Sequence, residues 1–535
     1  MWRLAAISLL MTCFIAACGD ETSDGGDGPP SDASSDGGTE DGSVSDAHDA
    51  ADQSDADGAI DAGEPSADAS VCAQRPGSRT VRGTSIATYH TRSATEARGR
   101  DFVVRPIRAY SRGTGDCYIE YPVVATATGA FVVHDLPPGP YFVAWSEDFW
   151  VEAEADPLDL GYELLGRPDT VEASPGTTLE LHVQNLGPWT AWDNLELYCL
   201  EASAFMLDIR GVASAGVPQP GAQALTGLTV DYDWFTADAP NLIDSALGDR
   251  PVLAQLAART TTAGETYSSL SRVFEPASFT MADGQRNVLS GSFVELAQTA
   301  SITIHWRRAE FAALVPEVTP TVAFVNHVLA VEAVPRWSRS LDVPAADLVS
   351  FVSGDARSVR TRLEYGVHRP NEMTKDVTAI ALVAYDLALP GATPAASFVS
   401  VSSEWLEPAD GQDAAPLISP PTLIRVAGAD ARTQIMGVGP TPVISWAPPR
   451  LGAVRDYSVA IHEIYVEQGR TRAQRVFTAQ ALRGTFLVPA GLLERGKFYR
   501  ARITAFHDLE KGADQPFRVG AVIGSAAVDT AVFSP

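Results

Sequence analysis

Apolar and polar residues alternate with a period of two along most of this chain, and that rhythm constrains its fold more than any other feature. Leu179-Glu180-Leu181-His182-Val183, Ile302-Thr303-Ile304-His305-Trp306 and Tyr499-Arg500-Ala501-Arg502-Ile503-Thr504-Ala505 all show it. Successive side chains of a strand point to opposite faces, so such runs read as antiparallel strands with one face buried and one in water. Glycines and prolines, 43 and 36 of them, interrupt the runs at short intervals. The pattern predicts an all-β protein of tandem antiparallel β-sandwich modules. No long amphipathic helix is legible, and residues 309–314 and 345–351 are each expected to form one or two helical turns.

The first residues read differently. Met1, Trp2 and Arg3 precede a mainly apolar run of 14 residues, 4–17. One positive charge before a short apolar core is the layout of a secretory signal peptide, whereas a bilayer span needs about 20 apolar residues. The run ends Ile15-Ala16-Ala17-Cys18-Gly19. That ending resembles the lipobox of bacterial lipoproteins, an aliphatic residue and two small residues before a cysteine. The resemblance implies removal of residues 1–17, a lipid on Cys18 and anchorage in the membrane through that lipid. Gly19, not Asp, follows the cysteine. In that family this implies an outer-membrane lipoprotein, on either the periplasmic or the outward face.

Residues 19–71 hold 16 Asp and Glu and no Lys or Arg, in a chain whose net charge is −28. Large apolar side chains are almost absent there. Such a segment buries too little surface to offset its ordering entropy, so a disordered, self-repelling tether is expected. Within it, Asp55, Asp57, Asp61 and Glu64 stand at the spacing of an EF-hand calcium loop, with Gly58 at the turn. Gln53 occupies the first ligand position and no helical pattern flanks the loop, so a chance match is the preferred reading.

Of five cysteines, Cys13 leaves with the signal peptide and Cys18 carries lipid, which leaves Cys72, Cys117 and Cys199. An exported chain meets an oxidising compartment, so one disulfide and one free thiol are expected. Spacing does not say which two pair. The Lys and Arg total of 39 includes only three lysines, and no basic cluster stands out. Nucleic acid is therefore excluded as an expected partner.

The body divides into a first module at 72–186, an unassigned β-rich region at 187–417 with a break near 316–320, and a last module at 418–535. In the first, Gly129-Ala130-Phe131 leads through Leu136-Pro137-Pro138-Gly139-Pro140-Tyr141. Proline fixes φ and glycine accepts the positive φ that reverses a chain. The run resembles the carboxypeptidase regulatory-like, prealbumin-type sandwich, which implies a hairpin closed by Pro138 and Gly139 and an accessory role. In the last module, Ile444-Ser445-Trp446, Tyr457-Ser458-Val459 and Leu493-Glu494-Arg495-Gly496-Lys497-Phe498-Tyr499 resemble fibronectin type III. The resemblance implies that Trp446 and Tyr457 are core residues on strands B and C. It also implies that Gly496 and Tyr499 form the tyrosine corner, the hydroxyl bonded to nearby backbone.

Motifs for catalysis are missing: no HExxH, GxSxG or P-loop occurs, and the nine histidines stand far apart. No cofactor is expected. Loop carboxylates at Glu152, Glu154 and Asp156, and another group at Asp231–Asp244, are weak calcium candidates. Trp150, Trp192 and Trp234 lie near acids and are candidates for stacking on a sugar ring, although core packing is the commoner use of such rings. The expectation is a lipid-anchored envelope protein without catalysis, serving adhesion, display or scaffolding through a protein or glycan partner at the cell surface. The alternative is a carbohydrate-binding protein or hydrolase with its site in 187–417.

Overall fold

A computed structural model describes residues 72, 77–206, 209, 213–232, 240–319, 321–335, 346–368, 373–508, 514–517 and 522–535. Cys18, the signal peptide, the acidic tether and its calcium-loop spacing lie outside the described residues. The protein is all-β, with mainly antiparallel sheets, several carrying a parallel pair, facing each other in pairs.

Four sandwiches follow one another. In the first, strands Arg79–Thr84, Val123–Ala125, Ala130–Leu136 and Leu158–Asp159 form one sheet. Strands Arg108–Arg112, Tyr118–Tyr121, Tyr141–Ser146 and Phe149–Ala153 form the other. Val81, Phe131, Val133 and Leu136 meet Ala109, Tyr121, Tyr141 and Val143 between them. The Cys72–Cys117 disulfide ties residue 72 to this module, and among the described residues Cys199 is the free, buried thiol.

The Pro-Pro-Gly turn corrects one expectation. Strands Ala130–Leu136 and Tyr141–Ser146 do not pair as a hairpin; each belongs to a different sheet. Leu136 and Tyr141 are both buried in the core between the sheets. Pro137 and Pro138 have no N–H to extend a ladder, and Gly139 at φ 106° carries the chain across. The turn is an arch between layers.

The second sandwich places Thr178–Gln184, Leu228–Asp231 and Arg286–Ser292 opposite Asn194–Cys199, Val252–Thr260 and Thr266–Phe274. Strand Thr178–Gln184, grouped by sequence with the first module, pairs here. The third sets Ala300–Trp306 and Val359–Tyr365 against Phe324–Pro335, Ala346–Ser353, Met373–Leu387 and Ala395–Leu406. Two helical expectations meet different fates. Residues 309–314 lie inside the helix Arg308–Val318, longer than expected, which buries Phe311, Val315 and Val318 and tolerates Pro316 in its last turn. Residues 346–351 are strand, not helix. Ala346 through Val349 are buried in succession between two neighbouring strands, which hides the alternation.

In the fourth sandwich Thr422–Val426, Val443–Ala447 and Thr485–Leu487 face Asp456–Glu467, Arg470–Ala481, Phe498–Asp508 and Val522–Asp529. Hydrogen-bonded strands also cross between sandwiches. Phe149–Ala153 runs parallel to Arg470–Ala481, with Ala479 opposite Trp150. Ala395–Leu406 runs antiparallel to Val522–Asp529. Ser268 and Ser269 pair with Ser350 and Val349. The sandwiches are thus joined through shared strand pairing.

Candidate functional site

A cleft of about 700 Å³ opens on the first sandwich, where it meets the fourth. That is within the roughly 300–1,000 Å³ usual for small-ligand sites. Its chemistry comes from three arginines, Arg100, Arg105 and Arg108, and three aromatic rings, Tyr110, Trp145 and Trp150, with Glu147 beside them.

The strand register explains how these side chains converge. Arg108 stands opposite Ala144 and Tyr110 opposite Phe142, while Ala144 pairs with Trp150. The ladder slips between Ala144 and Ser146, so Trp145 is the extra residue of a bulge. Bulges re-aim a side chain out of its regular alternation, and this one brings Trp145 to the cleft. Arg100 follows strand Thr95–Gly99 and lies with its guanidinium 4.0 Å from the Trp145 ring centre. It also donates to the Trp145 carbonyl at 2.7 Å. Tyr162 and Phe517 meet the Trp145 ring edge-on at 5.7 and 5.2 Å. Tyr110 stacks on Trp150 at 4.5 Å with planes 7° apart.

Electrostatically the cleft sets three arginines against one lining carboxylate, Glu147. None of the three guanidinium groups forms an ion pair with a carboxylate among the described residues. Burial pulls Arg100 below its ordinary value; Tyr162 opposes this and nearby Arg105 adds to it. Arg108 is raised, first by its hydrogen bond and charge interaction with Tyr110 and then by Glu120 and Glu147.

The site residues expected from sequence distribute unevenly. Trp150 borders the cleft but is only 7% exposed, a core ring as well as a lining one. Trp192 is 45% exposed in a loop away from the cleft lining, while its neighbour Trp189 is buried. Cys18, Asp55, Asp57, Asp61, Glu64 and Trp234 fall outside the described residues. The calcium candidates of the first module are separately engaged. Glu152 is buried, accepts the Leu482 N–H at 2.7 Å, and is raised by burial. Glu154 pairs with Arg483, and Asp156 accepts the Arg82 N–H at 3.1 Å. In the other acidic group Asp244 accepts the Ala246 N–H at a short 3-10 turn. The described residues hold no group of three or more His, Cys, Asp or Glu able to hold a metal ion.

The structural residues lie in packed positions. The Tyr141 hydroxyl donates to the Ala155 carbonyl at 2.7 Å, and Pro138 and Gly139 form the arch before it. Trp446 is buried edge-on against Tyr457 at 5.1 Å. Gly496 takes φ 82° before the strand that carries Tyr499, whose hydroxyl accepts the Glu494 N–H at 3.0 Å.

The arginines of the cleft were overlooked in the sequence. Four arginines stand between positions 98 and 108 against one acid, Asp101, which is a local basic cluster in an acidic chain. Their spacing crosses a strand end and a loop, so no single period exposes it.

Fold and cleft together define an all-β protein of joined sandwiches with a basic, aromatic cleft on the first of them. No family model matches the chain, and no curated protein matches it. Among solved structures it is similar to the FN1–FN3 domains of chicken CNTN1, at 8% identity and a TM-score of 0.11, over 69% of this chain and 99% of that one. It is also similar to a Ca2+-stabilized adhesin that helps an Antarctic bacterium bind ice, at 9% identity and a TM-score of 0.14, over 86% of this chain and 100% of that one. Likenesses this slight carry no argument about fold or function.

Proposed function

We propose that this chain is a lipid-anchored, non-catalytic protein of the cell envelope, serving adhesion, display or scaffolding. Lipid on Cys18 holds it in the outer membrane, residues 19–71 act as an extended acidic tether, and the sandwiches form the body presented at its end. A prealbumin-like first module and a fibronectin type III-like last module belong to the same reading. The observation that carries it is the strand pairing between sandwiches, which joins the body into a stiff support and not a string of loose beads. A second reading, binding of a carbohydrate, is favoured by the arginine and tryptophan cleft. In this reading the binding surface is the cleft of the first sandwich and not the 187–417 region expected from sequence.

The anchor is tested by replacing Cys18 with Ala and separating membranes from soluble fractions. The variant is expected to leave the membrane pellet, because a lipid chain contributes about 0.8 kcal/mol per buried methylene and no other anchor is proposed. A variant that stays in the pellet overturns the lipid-anchor reading.

A further inference from the structure

We propose that the cleft of the first sandwich binds carboxylate-bearing sugar rings of an acidic polysaccharide. The inference deepens the binding role just proposed and rests on it.

Three observations converge. First, Arg100, Arg105 and Arg108 line one cleft and none forms an ion pair with a carboxylate among the described residues, in a chain whose net charge is −28. Acids outnumber bases 67 to 39, yet Glu120 and Glu147 act on Arg108 through space without forming an ion pair with it. Guanidinium groups present a planar fork of donors that matches a carboxylate in a bidentate pair. Second, the arginines are interleaved with aromatic rings: Arg100 lies on one face of half-buried Trp145, and half-buried Tyr110 covers the buried Trp150, so Trp145 and Tyr110 are the rings left for a ligand. An aromatic face takes the apolar C–H face of a pyranose, and stacking supplies the affinity that a charge in water does not. Third, the arrangement is formed in advance. Arg100 is held by the Trp145 carbonyl and ring, and Trp145 is held by the bulge and by Phe517 of the fourth sandwich. Pre-organisation lowers the ordering cost of binding.

Glu147 decides between ligand classes. It borders the cleft as a carboxylate acceptor, suited to the hydroxyls of a sugar and unsuited to a second close anion. A densely charged chain such as nucleic acid would meet both Glu147 and the overall negative charge. A sugar with one carboxylate per ring presents hydroxyls to Glu147, its carboxylate to the arginines and its ring face to the aromatics.

The test is calorimetric titration of the full chain in detergent with four probes. These are an oligogalacturonate, a neutral galactose oligomer of the same length, a sulfated galactose oligomer and poly-glutamate. Saturable binding is expected for the oligogalacturonate, at least tenfold tighter than for the other three, and weakening as salt is raised. Arg105→Glu and Arg108→Glu change exposed side chains, so the fold should persist; each is expected to weaken oligogalacturonate binding at least tenfold. Arg425→Glu, an equal charge change on an exposed strand residue of the fourth sandwich, should leave it unchanged. Equal binding of the neutral oligomer removes the role of the arginines. Equal binding of poly-glutamate or the sulfated oligomer reduces the cleft to a plain anion patch. No binding, or wild-type binding by both cleft variants, overturns the proposal. Each of these results leaves the envelope reading intact if Cys18→Ala still releases the protein, so the two fail separately.

Discussion

Trp446 and Tyr499 contribute to the fourth sandwich by different physics. Trp446 is 6% exposed and packs edge-on against Tyr457 from the facing sheet, so Trp446→Ala leaves a cavity and should cost about 3–5 kcal/mol. Tyr499 is 1% exposed and its hydroxyl satisfies the Glu494 N–H, so Tyr499→Phe strands that donor and should cost about 1–3 kcal/mol. Urea unfolding of the full chain, followed by far-UV circular dichroism, reads both; a nearly neutral Trp446→Ala would refute its central place in the core. His327 makes a pH prediction. Burial, then the charge of Arg308, lowers its imidazole to about 4, with Asp355 opposing. In the unfolded chain it takes a proton near 6.5. Between those values the unfolded state binds more protons, so stability falls as pH drops from 6.5 towards 4. His327→Phe should flatten that part of the profile, measured as urea midpoints at stepped pH. An unchanged slope excludes His327 as its source.

Elements were legible where one face meets water and obscure where both are covered. Strand Ala300–Trp306 buries Ile302, Ile304 and Trp306 and leaves Thr303 and His305 half-buried, as its alternation says. Strand Ala346–Ser353 buries Ala346, Asp347, Leu348 and Val349 in succession, and with Asp347 and Ser350 interrupting its apolar residues out of step it shows no clean period of two. The Pro137-Pro138-Gly139 turn was legible as a reversal, but its partners were not: turn chemistry sets local φ and does not say whether the next strand joins the same sheet or the opposite one. Gly139 stands at φ 106° with open space where a Cβ would be, so Gly139→Ala meets backbone strain without a clash. The expected cost is about 1–2 kcal/mol, read as a lowered thermal midpoint. A variant as stable as the parent would show that the arch accepts another conformation.

Across the whole molecule, the joins between sandwiches hold buried charge. Asp529 stands opposite Arg502 in the strand register and accepts from its Nε and Nη2 at 2.7 Å each. Arg500 lies 3.2 Å from the same carboxylate and also donates to Ser397 and Tyr385 of the third sandwich. Burial alone would raise the Asp529 carboxyl; Arg502 and Arg500 overcome that and hold it well below the usual carboxylate range. Its contribution is therefore in place above about pH 4 and is lost as acid carries the pH down towards the depressed folded value. Asp529→Asn leaves the buried Arg500 and the half-buried Arg502 without their counter-charge and should cost about 3–5 kcal/mol. Urea unfolding at neutral pH checks the loss, and repeating it near pH 3 should show a smaller difference between variant and parent. A neutral substitution would mean that the join is held by packing alone.

The alternation of Tyr499 through Ala505 determined by itself that this segment is a strand with Tyr499, Ala501, Ile503 and Ala505 facing a core, because side chains of a strand alternate whatever surrounds it. It equally determined an outward position for Arg500 and Arg502. Only the tertiary structure decided what outward means: Arg500 is buried because strands of the third sandwich lie against that face. The cleft follows the same rule. Trp145 and Trp150 could be singled out in the chain as rings near acids, but their meeting with Arg100, Arg105 and Arg108 depends on a bulge and on pairing between strands distant in sequence. Periodicity is a property of neighbouring residues and survives in the sequence. Which face of a sheet remains open to a ligand depends on the packing of whole sandwiches, and no local pattern encodes it.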